Sequence, residues 1–236
     1  MNILIPAAGR GSRFLNSQYS LPKPLIMVNN APMLISSAKS LSLEGNYIFI
    51  VQDNEFTEIL SQHIYTSFPQ SKIAVIDYYT EGAAQTALIA EQYINNDDEL
   101  VIANCDQIMN YSVSGMLNTL RNYDSGLVLI KSKDSKHSYA KVEKGFVTLV
   151  KEKEVISNFA LTGIHYWKKG KYFVESAITM INENSRSSNN EFYIGPTYNY
   201  LIKSGKSVGT YLLETKEIHF IGTPEDLELY ESRKIK

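Results

Sequence analysis

Short apolar runs alternate with helical patterns through the first half of the chain, and this alternation constrains the fold more than any other feature. Strand-like runs occur at residues 3–6, 47–51, 72–78, 100–103 and 127–130. Amphipathic segments separate them, at residues 32–43, 56–65, 83–94 and 113–120. Continuous apolar strands alternating with helices predict a parallel sheet covered by helices on both faces.

The pattern changes in the second half. Strand-like runs at 139–142, 146–150 and 161–167 follow one another with short connections, and Lys144-Gly145 marks a hairpin turn. Two helical patterns (172–181 and 192–202), two short strands (208–213 and 218–221) and a last helix complete the chain. Thr223 is expected to cap that last helix, with Pro224 at its first position. The expected fold class is therefore α/β, with a Rossmann-like, mixed, mainly parallel sheet flanked by helices.

A loop of small residues, AAGRGSR at positions 7–13, follows the first strand directly. Such a loop brings backbone N–H groups up to a phosphate, and Gly9 and Gly11 can adopt positive φ without a Cβ in the way. Arg13 can fork onto phosphate oxygens, and Lys23, held between two prolines, can act as a point charge. The alternative is a glycine turn with two solvated cations. The dinucleotide fingerprint fails because Phe14 replaces its third glycine. The Walker form fails because no Gly-Lys-Ser/Thr follows this loop after a four-residue gap.

Two further segments lie where predicted strands end. Residues 80–85, TEGAAQ, open a helix, and Gly82 with its alanines leaves room for a flat ring beside an amide, Gln85, that suits a base edge. Asp106 ends a buried strand, where a carboxylate suits a hard divalent cation better than it suits a core. The alternatives are a surface glutamine and a turn-capping aspartate. Ligands on parallel sheets lie beyond the carboxyl ends of strands, so we expect these segments to converge.

The string AAGRGSRF followed by LPKPLIMVNNAPML resembles the sugar-1-phosphate nucleotidyltransferases, whose signature is a GxG(T/S)R loop and then Pro-Lys-Pro. The chain is most similar to the short members of bacterial capsule clusters, a group that includes a CTP:phosphoglutamine cytidylyltransferase. The resemblance implies a nucleotidyltransferase (GT-A-like) fold and an enzyme that joins a nucleoside triphosphate, CTP in the favoured case, to a small phosphorylated acceptor. Pyrophosphate is released, and Mg²⁺ is the implied cofactor.

The resemblance also implies roles for individual residues. Arg13 steadies the leaving pyrophosphate, Lys23 stabilises charge at the α-phosphate, and Asp106 binds the metal. Lys153 grips the acceptor phosphate, since Glu152-Lys153 matches the family's Glu-Lys-Pro, with Glu154 in place of the proline. The other implied nucleotide contacts are Ala7, Ala8, Gly9, Gly11, Ser12, Gly82 and Gln85, and the other acceptor contacts are Glu152, Gly163 and Glu191.

Two departures from the family pattern concern the acceptor side. Phe220 stands where Asp-x-Gly-Thr would supply a second metal aspartate, and Tyr139-Ala140 replaces Tyr-Gly. Either Asp106 holds Mg²⁺ with phosphates and water, or another carboxylate such as Glu217 substitutes. These departures disfavour a standard hexose 1-phosphate. The other function classes are a sugar-1-phosphate nucleotidyltransferase, a nucleotide-sugar-dependent glycosyltransferase with a weakened Asp-x-Asp at residues 104–106, and an inactive nucleotide sensor.

Composition narrows the setting. A net charge of −2 argues against a broad nucleic-acid surface, and a single cysteine excludes an intramolecular disulfide and fits a reducing cytoplasm. No apolar run approaches the ~20 residues that span a bilayer, and no signal peptide is recognised. We expect a cytoplasmic protein with small-molecule partners, and a homo-oligomer stays open. One domain is expected over 1–236, with a nucleotide-binding half at 1–132 and an acceptor-binding half at 133–236.

Overall fold

The computed structural model describes residues 1–15 and 19–233. The strands are β1 (Asn2–Ala7), β2 (Met27–Val28), β3 (Ala31–Pro32), β4 (Asn46–Gln52), β5 (Lys72–Ile76), β6 (Leu100–Ala103), β7 (Gln107–Met109), β8 (Ser125–Lys131), β9 (Tyr139–Glu143), β10 (Phe146–Lys151), β11 (Phe159–Trp167), β12 (Val208–Leu212) and β13 (Ile218–Phe220). The helices are α1 (Ser12–Leu15), α2 (Met33–Ser40), α3 (Thr57–Ser67), α4 (Ala83–Leu88), α5 (Glu91–Ile94), α6 (Val113–Leu120), α7 (Gly170–Asn182), α8 (Thr197–Lys203) and α9 (Pro224–Ser232). Short 3₁₀ turns occur at Lys23–Leu25 and Thr215–Glu217.

The main sheet has the strand order β10-β9-β11-β6-β1-β4-β5, and β8 pairs with both β11 and β12. Strands β6, β1, β4 and β5 run parallel to their neighbours, as the alternation in the sequence predicts. Strand β11 runs antiparallel to β6, β8 and β9, and it joins the second half of the chain to the parallel part. The predicted α/β class with a mixed sheet is therefore confirmed.

The strands are buried on both faces, which explains their continuous apolar sequences. In β1, Ile3 and Ile5 pack into the core on one side of the sheet, and Leu4 packs into the core on the other. All three side chains are fully buried. A third, smaller apolar cluster joins Phe14 and Ile26 to Leu227 of α9, so the last helix packs against the segments that flank Lys23.

Two turn and cap predictions are confirmed. Lys144 and Gly145 both have positive φ in the β9–β10 hairpin, as a tight turn between two twisted strands requires. The Thr223 hydroxyl accepts a hydrogen bond from the Asp226 N–H at 3.2 Å and so caps α9. Within the described residues, no helix is long and apolar enough to cross a membrane.

Two helix predictions need correction. The helix predicted at 83–94 is broken into α4 and α5, and nothing in the sequence of residues 88–91 marks the break. The helix predicted at 192–202 begins only at Thr197, because Pro196 disfavours helix for the residue before it. In addition, the Phe192 N–H donates to the Glu81 carbonyl at 2.8 Å, and the Phe192 carbonyl accepts from the Ala84 N–H at 2.9 Å. These bonds hold the segment against the start of α4 instead of in a helix.

Candidate active site

Two adjoining pockets open near the carboxyl ends of β1 and β6. The glycine-loop pocket is lined by Pro6, Ala8, Gly9, Arg10, Gly11, Ser12, Tyr79, Thr80, Gly82, Ala83, Thr86, Glu191 and Tyr193. The charged pocket is lined by Arg13, Ala83, Asn104, Asp106, Lys136, His137, Ser138, Glu152, Lys153, Leu161, Thr162, Gly163, His165, Tyr193, Ile194, Gly195, Phe220, Gly222, Thr223 and Asp226. Ala83 and Tyr193 line both, so the two pockets share a wall.

The glycine loop leaves its backbone open toward the first pocket. A Cβ placed on Gly9 would meet no atom within 4 Å, whereas one on Gly11 would lie 3.1 Å from the Lys23 Cβ. Gly11 also has a φ of +60°, which favours glycine. Ala8 and Ser12 line the same pocket, but Ala7 is buried beneath the loop in β1. Four of the five predicted loop contacts therefore face a common space.

Gly82 is required by packing against a neighbouring segment. Its φ is +132°, and a Cβ there would lie 2.4 Å from the Phe192 carbonyl oxygen. The side chain of Gln85 turns back to its own loop, where Oε1 accepts from the Glu81 N–H at 2.6 Å. Gln85 does not line the glycine-loop pocket, and Tyr79 and Thr80 do. Base reading by Gln85 stays a prediction, and it would require this local bond to open.

Lys23 and Asp106, 83 positions apart, form an ion pair beside the charged pocket. The Lys23 Nζ lies 2.5 Å from Asp106 Oδ2, with the two side chains 18% and 24% exposed. Burial disfavours the ammonium, but the charge and hydrogen bond of Asp106 outweigh that cost and raise the pKa of Lys23. Lys23 is therefore charged at neutral pH, and it lies between Gly11 on one side and Asp106 on the other.

Four further residues bear on nucleophilic attack and on metal binding at this pair. Burial raises the pKa of the Cys105 thiol to about 11, so it is not a nucleophile at neutral pH. Gly222 leaves bare backbone beside the carboxylate, since a Cβ there would lie 2.8 Å from Asp106 Oδ2. The Phe220 ring packs against His137 with centroids 5.0 Å apart. The Glu217 carboxylate, one candidate for the missing ligand, instead accepts from the Glu214 N–H at 2.7 Å.

The described residues include no group of three or more His, Cys, Asp or Glu side chains that could hold a metal ion. Mg²⁺ keeps several waters and takes one or two carboxylates together with substrate phosphates. Asp106 alone, half-buried and open to the charged pocket, fits that requirement when nucleotide oxygens complete the shell.

Of the predicted acceptor residues, Glu152 and Lys153 line the charged pocket, whereas Glu191 lines the glycine-loop pocket. Glu152 is half-buried and accepts a hydrogen bond from the Ser138 hydroxyl, and burial raises its pKa. Lys153 Nζ donates to the Tyr193 hydroxyl at 3.0 Å. The backbone φ of Lys153 is +52°, which is unusual outside glycine. The Tyr193 hydroxyl in turn donates to Glu191 at 2.5 Å. Glu191 lines the glycine-loop pocket and not the charged one, so this chain of bonds runs along the shared wall.

Gly163 lines the charged pocket, but a side chain already fills the space beside it. It has a φ of +85°, and a Cβ there would lie 2.2 Å from the Asn104 Nδ2. The pairing of β11 with β8 shifts register between Leu161 and His165, which places Gly163 in a β-bulge. The missing side chain therefore makes room for the Asn104 amide at the end of β6.

Several pocket residues were not predicted as site residues. Tyr193 lines both pockets, whereas Tyr198 is core and donates to the Gly126 carbonyl at 3.1 Å. His165 lines the charged pocket, and its buried Nδ1 has no hydrogen-bond partner among residues 1–15 and 19–233. Burial lowers its pKa to about 3, so its imidazole is neutral. Lys136 and Asp226 lack a local sequence signal, since they reach the pocket from a loop and from α9.

The sequence resemblance is supported by comparison with known proteins. The profile described as nucleotidyl transferase matches residues 2–229. The chain belongs to the nucleotidyl transferase family. It is 24% identical over 220 residues to the bifunctional protein GlmU of Methanococcus maripaludis, an alignment that covers 90% of this chain and 49% of that protein. The chain therefore spans about half the length of this curated relative.

Two solved structures share the fold. The nucleoside-diphosphate-sugar pyrophosphorylase of Vibrio cholerae RC9 superposes with a TM-score of 0.83 at 23% identity, covering 97% of this chain and 98% of that one. The inositol-1-phosphate CTP transferase of T. maritima gives a TM-score of 0.76 at 16% identity, covering 98% and 93%. At these identities the likeness establishes the fold of this chain alone, so its substrates are argued from the pockets.

Proposed function

We propose that this chain transfers the nucleotidyl group of a nucleoside triphosphate to the phosphate of a small acceptor and releases pyrophosphate. The observation that carries the proposal is the Lys23–Asp106 pair, which lies between a pocket of bare backbone and a pocket of charged side chains. Triphosphates suit the first environment and a second anion suits the second. Two anions react at one phosphorus only where fixed positive charge offsets their repulsion.

The chemistry needs positioning more than proton transfer. An oxygen of the acceptor phosphate attacks the α-phosphorus, and the bond from that phosphorus to the bridging oxygen of the β-phosphate breaks. The attacking oxygen is already anionic, so no general base is required. Lys23 would stabilise the charge at the α-phosphate and Arg13 would steady the leaving pyrophosphate. Ala8, Gly9, Gly11 and Ser12 would hold the triphosphate.

Acceptor placement is proposed for the charged pocket. Lys153 would bind the acceptor phosphate, since it lines this pocket and donates to the hydroxyl of Tyr193, which lines both pockets. Glu152 would contact the rest of the acceptor, and Gly163 would hold the Asn104 amide at the pocket edge. Glu191 would act through Tyr193 and thereby position Lys153.

Mg²⁺ is the proposed cofactor, and Asp106 is the residue that would hold it. Bound with the nucleotide, the ion would supply neutralisation of charge on the triphosphate oxygens. The expected observation is that chelation with EDTA abolishes pyrophosphate release and that added Mg²⁺ restores it.

The finer proposal is a CTP:phosphoglutamine cytidylyltransferase that supplies capsular polysaccharide biosynthesis. The sequence resembles capsule-cluster nucleotidyltransferases, and the T. maritima protein of the same fold is named as a CTP transferase. Phe220 and Ala140 replace residues that sugar-using members usually carry, which supports an acceptor other than a hexose 1-phosphate. The second candidate is a sugar-1-phosphate nucleotidyltransferase, favoured by the name of the V. cholerae protein.

A pyrophosphate-release screen tests the proposal. Each of the four ribonucleoside triphosphates is combined with phosphoglutamine, glucose 1-phosphate, phosphocholine or glycerol phosphate in the presence of Mg²⁺. We expect release with CTP and phosphoglutamine that disappears when either is omitted. Release with glucose 1-phosphate alone would replace the finer proposal by the second candidate. Tight nucleotide binding without release from any pair would contradict the proposed reaction.

A further inference from the structure

The charged pocket contains three carboxylates, and two of them have a lysine within salt-bridge distance. Asp106 Oδ2 lies 2.5 Å from Lys23 Nζ, and Asp226 Oδ1 lies 3.7 Å from Lys136 Nζ. Glu152 lines the same pocket, and within residues 1–15 and 19–233 it takes part in no salt bridge. The pocket therefore has one carboxylate, Glu152, that forms no salt bridge with any cation of the described residues.

The immediate surroundings of Glu152 make this charge costly. In the described part of the chain, its one hydrogen-bond partner is the Ser138 hydroxyl, which donates to Oε2. A carboxylate has room for about four such bonds, so Oε1 is left to solvent or a ligand. Burial raises the pKa of Glu152 and the nearby Glu191 raises it further, against the lowering effects of Ser138 and Lys153. A half-buried carboxylate in this state is stabilised by any cation that enters the pocket.

Other groups around the pocket also favour a donor from the ligand. The Thr162 hydroxyl donates to the Val128 carbonyl at 2.9 Å and accepts from the Ile164 N–H at 3.4 Å, so it has no proton left to donate to a ligand. His165 is neutral, and its Nδ1 has no hydrogen-bond partner in the part of the chain that the structure describes. The rings of Tyr193 and Phe220 line the same space, and aromatic faces attract ammonium groups.

We propose that Glu152 binds an ammonium group of the acceptor, so that the acceptor is a phosphorylated amine or amino acid. The inference rests on the proposed function, since it assigns the second substrate of that reaction. A sugar hydroxyl could donate to the same oxygen, but it would leave the carboxylate charge unbalanced. Lys153 and Glu152, neighbours in sequence, would thus bind opposite charges of one zwitterionic ligand.

The test uses acceptors that differ only in the charged group. One pair is phosphoethanolamine and 2-hydroxyethyl phosphate, and the other is phosphoglutamine and its analogue without the α-amino group. Each is assayed for pyrophosphate release with CTP and Mg²⁺, and for binding by calorimetric titration, which needs no turnover. The proteins are wild type, Glu152→Gln, which keeps an oxygen for Ser138, and Glu154→Gln. Glu154 is exposed, pairs with Lys151 at 3.9 Å and does not line the pocket.

We expect the amino member of at least one pair to have a KM or dissociation constant about tenfold lower than its neutral partner, as for one charge-assisted hydrogen bond. Glu152→Gln should erase that preference by raising the KM or dissociation constant of the amino member toward that of its neutral partner, and Glu154→Gln should keep the preference. Equal use of amino and neutral members by wild type overturns the inference, and so does an equal loss for both in Glu152→Gln.

The two proposals fail in different ways. Release of pyrophosphate from glucose 1-phosphate, with no preference within either pair, removes the inference and keeps the nucleotidyltransferase. Absence of release from every acceptor removes the proposed function. In that case the calorimetric titration still decides the inference, because equal or undetectable binding of both members overturns it.

Discussion

The two pockets are built in opposite ways. The glycine-loop pocket takes most of its wall from two short stretches, residues 6–12 and 79–86, and it offers mainly backbone and small side chains. The charged pocket draws its lining from segments between Arg13 and Asp226, and its ions are paired across long separations in sequence. A pocket of the first kind suits a ligand part common to many reactions, and one of the second kind can select a particular acceptor.

The largest expected effect lies where the two pockets meet. Lys23→Ala should lower kcat/KM for pyrophosphate release roughly 100-fold. That is a loss of about 3 kcal/mol of transition-state stabilisation, as for one positioned charge donor. Lys39→Ala removes an exposed lysine of α2 and serves as the control. Thermal unfolding of both variants separates loss of activity from loss of fold. Unchanged turnover in folded Lys23→Ala would show that the Lys23–Asp106 pair takes no part in the reaction.

Two glycines sharpen the contrast within the glycine-loop pocket. Gly82→Ala should lower the free energy of unfolding by about 2 kcal/mol, because the Cβ would lie 2.4 Å from the Phe192 carbonyl oxygen and φ is +132°. Gly9→Ala should leave stability unchanged, since its Cβ would meet nothing within 4 Å, and should instead weaken nucleotide binding. Urea unfolding and nucleotide titration measure the two effects. Destabilisation by Gly9→Ala would show that this loop is held by packing and not kept open for a ligand.

The burial of His165 beside the charged pocket predicts that the free energy of unfolding depends on pH. Burial lowers its pKa in the folded state from 6.5 to about 3, so the unfolded chain binds the proton first. Stability is fully present above pH 6.5 and falls as pH drops toward 3, by about 2 kcal/mol between pH 8 and pH 5. His165→Gln should lack this contribution when urea midpoints are compared across that range. Identical pH profiles for the two proteins would mean that His165 is accessible to protons in the folded state.

The smallest expected effect concerns the wall between the pockets. Tyr193→Phe removes the hydroxyl that holds Lys153 at 3.0 Å, and it should raise the acceptor KM by about threefold to tenfold with stability unchanged. Tyr198→Phe removes a buried hydroxyl bonded to Gly126 and should instead lower stability without a change in KM. If both variants change only stability, Tyr193 belongs to the core and not to the site.

The same contrast explains what could be predicted from the sequence. The Lys144-Gly145 turn and the Thr223 cap depend on neighbours in the chain, and local patterns predicted them correctly. The position of Phe192 depends on hydrogen bonds to Glu81 and Ala84, about a hundred positions away, and the local pattern missed it. Side-chain orientation also lies beyond a local pattern. Gln85 bonds its own loop, and Asn104 fills the space beside Gly163.

The central claim is that a triphosphate lies in the glycine-loop pocket with its α-phosphorus at the Lys23–Asp106 pair. A crystal structure with CTP and Mg²⁺ tests this most directly. We predict that the phosphates contact the backbone of residues 9–12 and that Lys23 Nζ lies within hydrogen-bond distance of an α-phosphate oxygen. A triphosphate bound far from Arg13, Lys23 and Asp106 would contradict the claim.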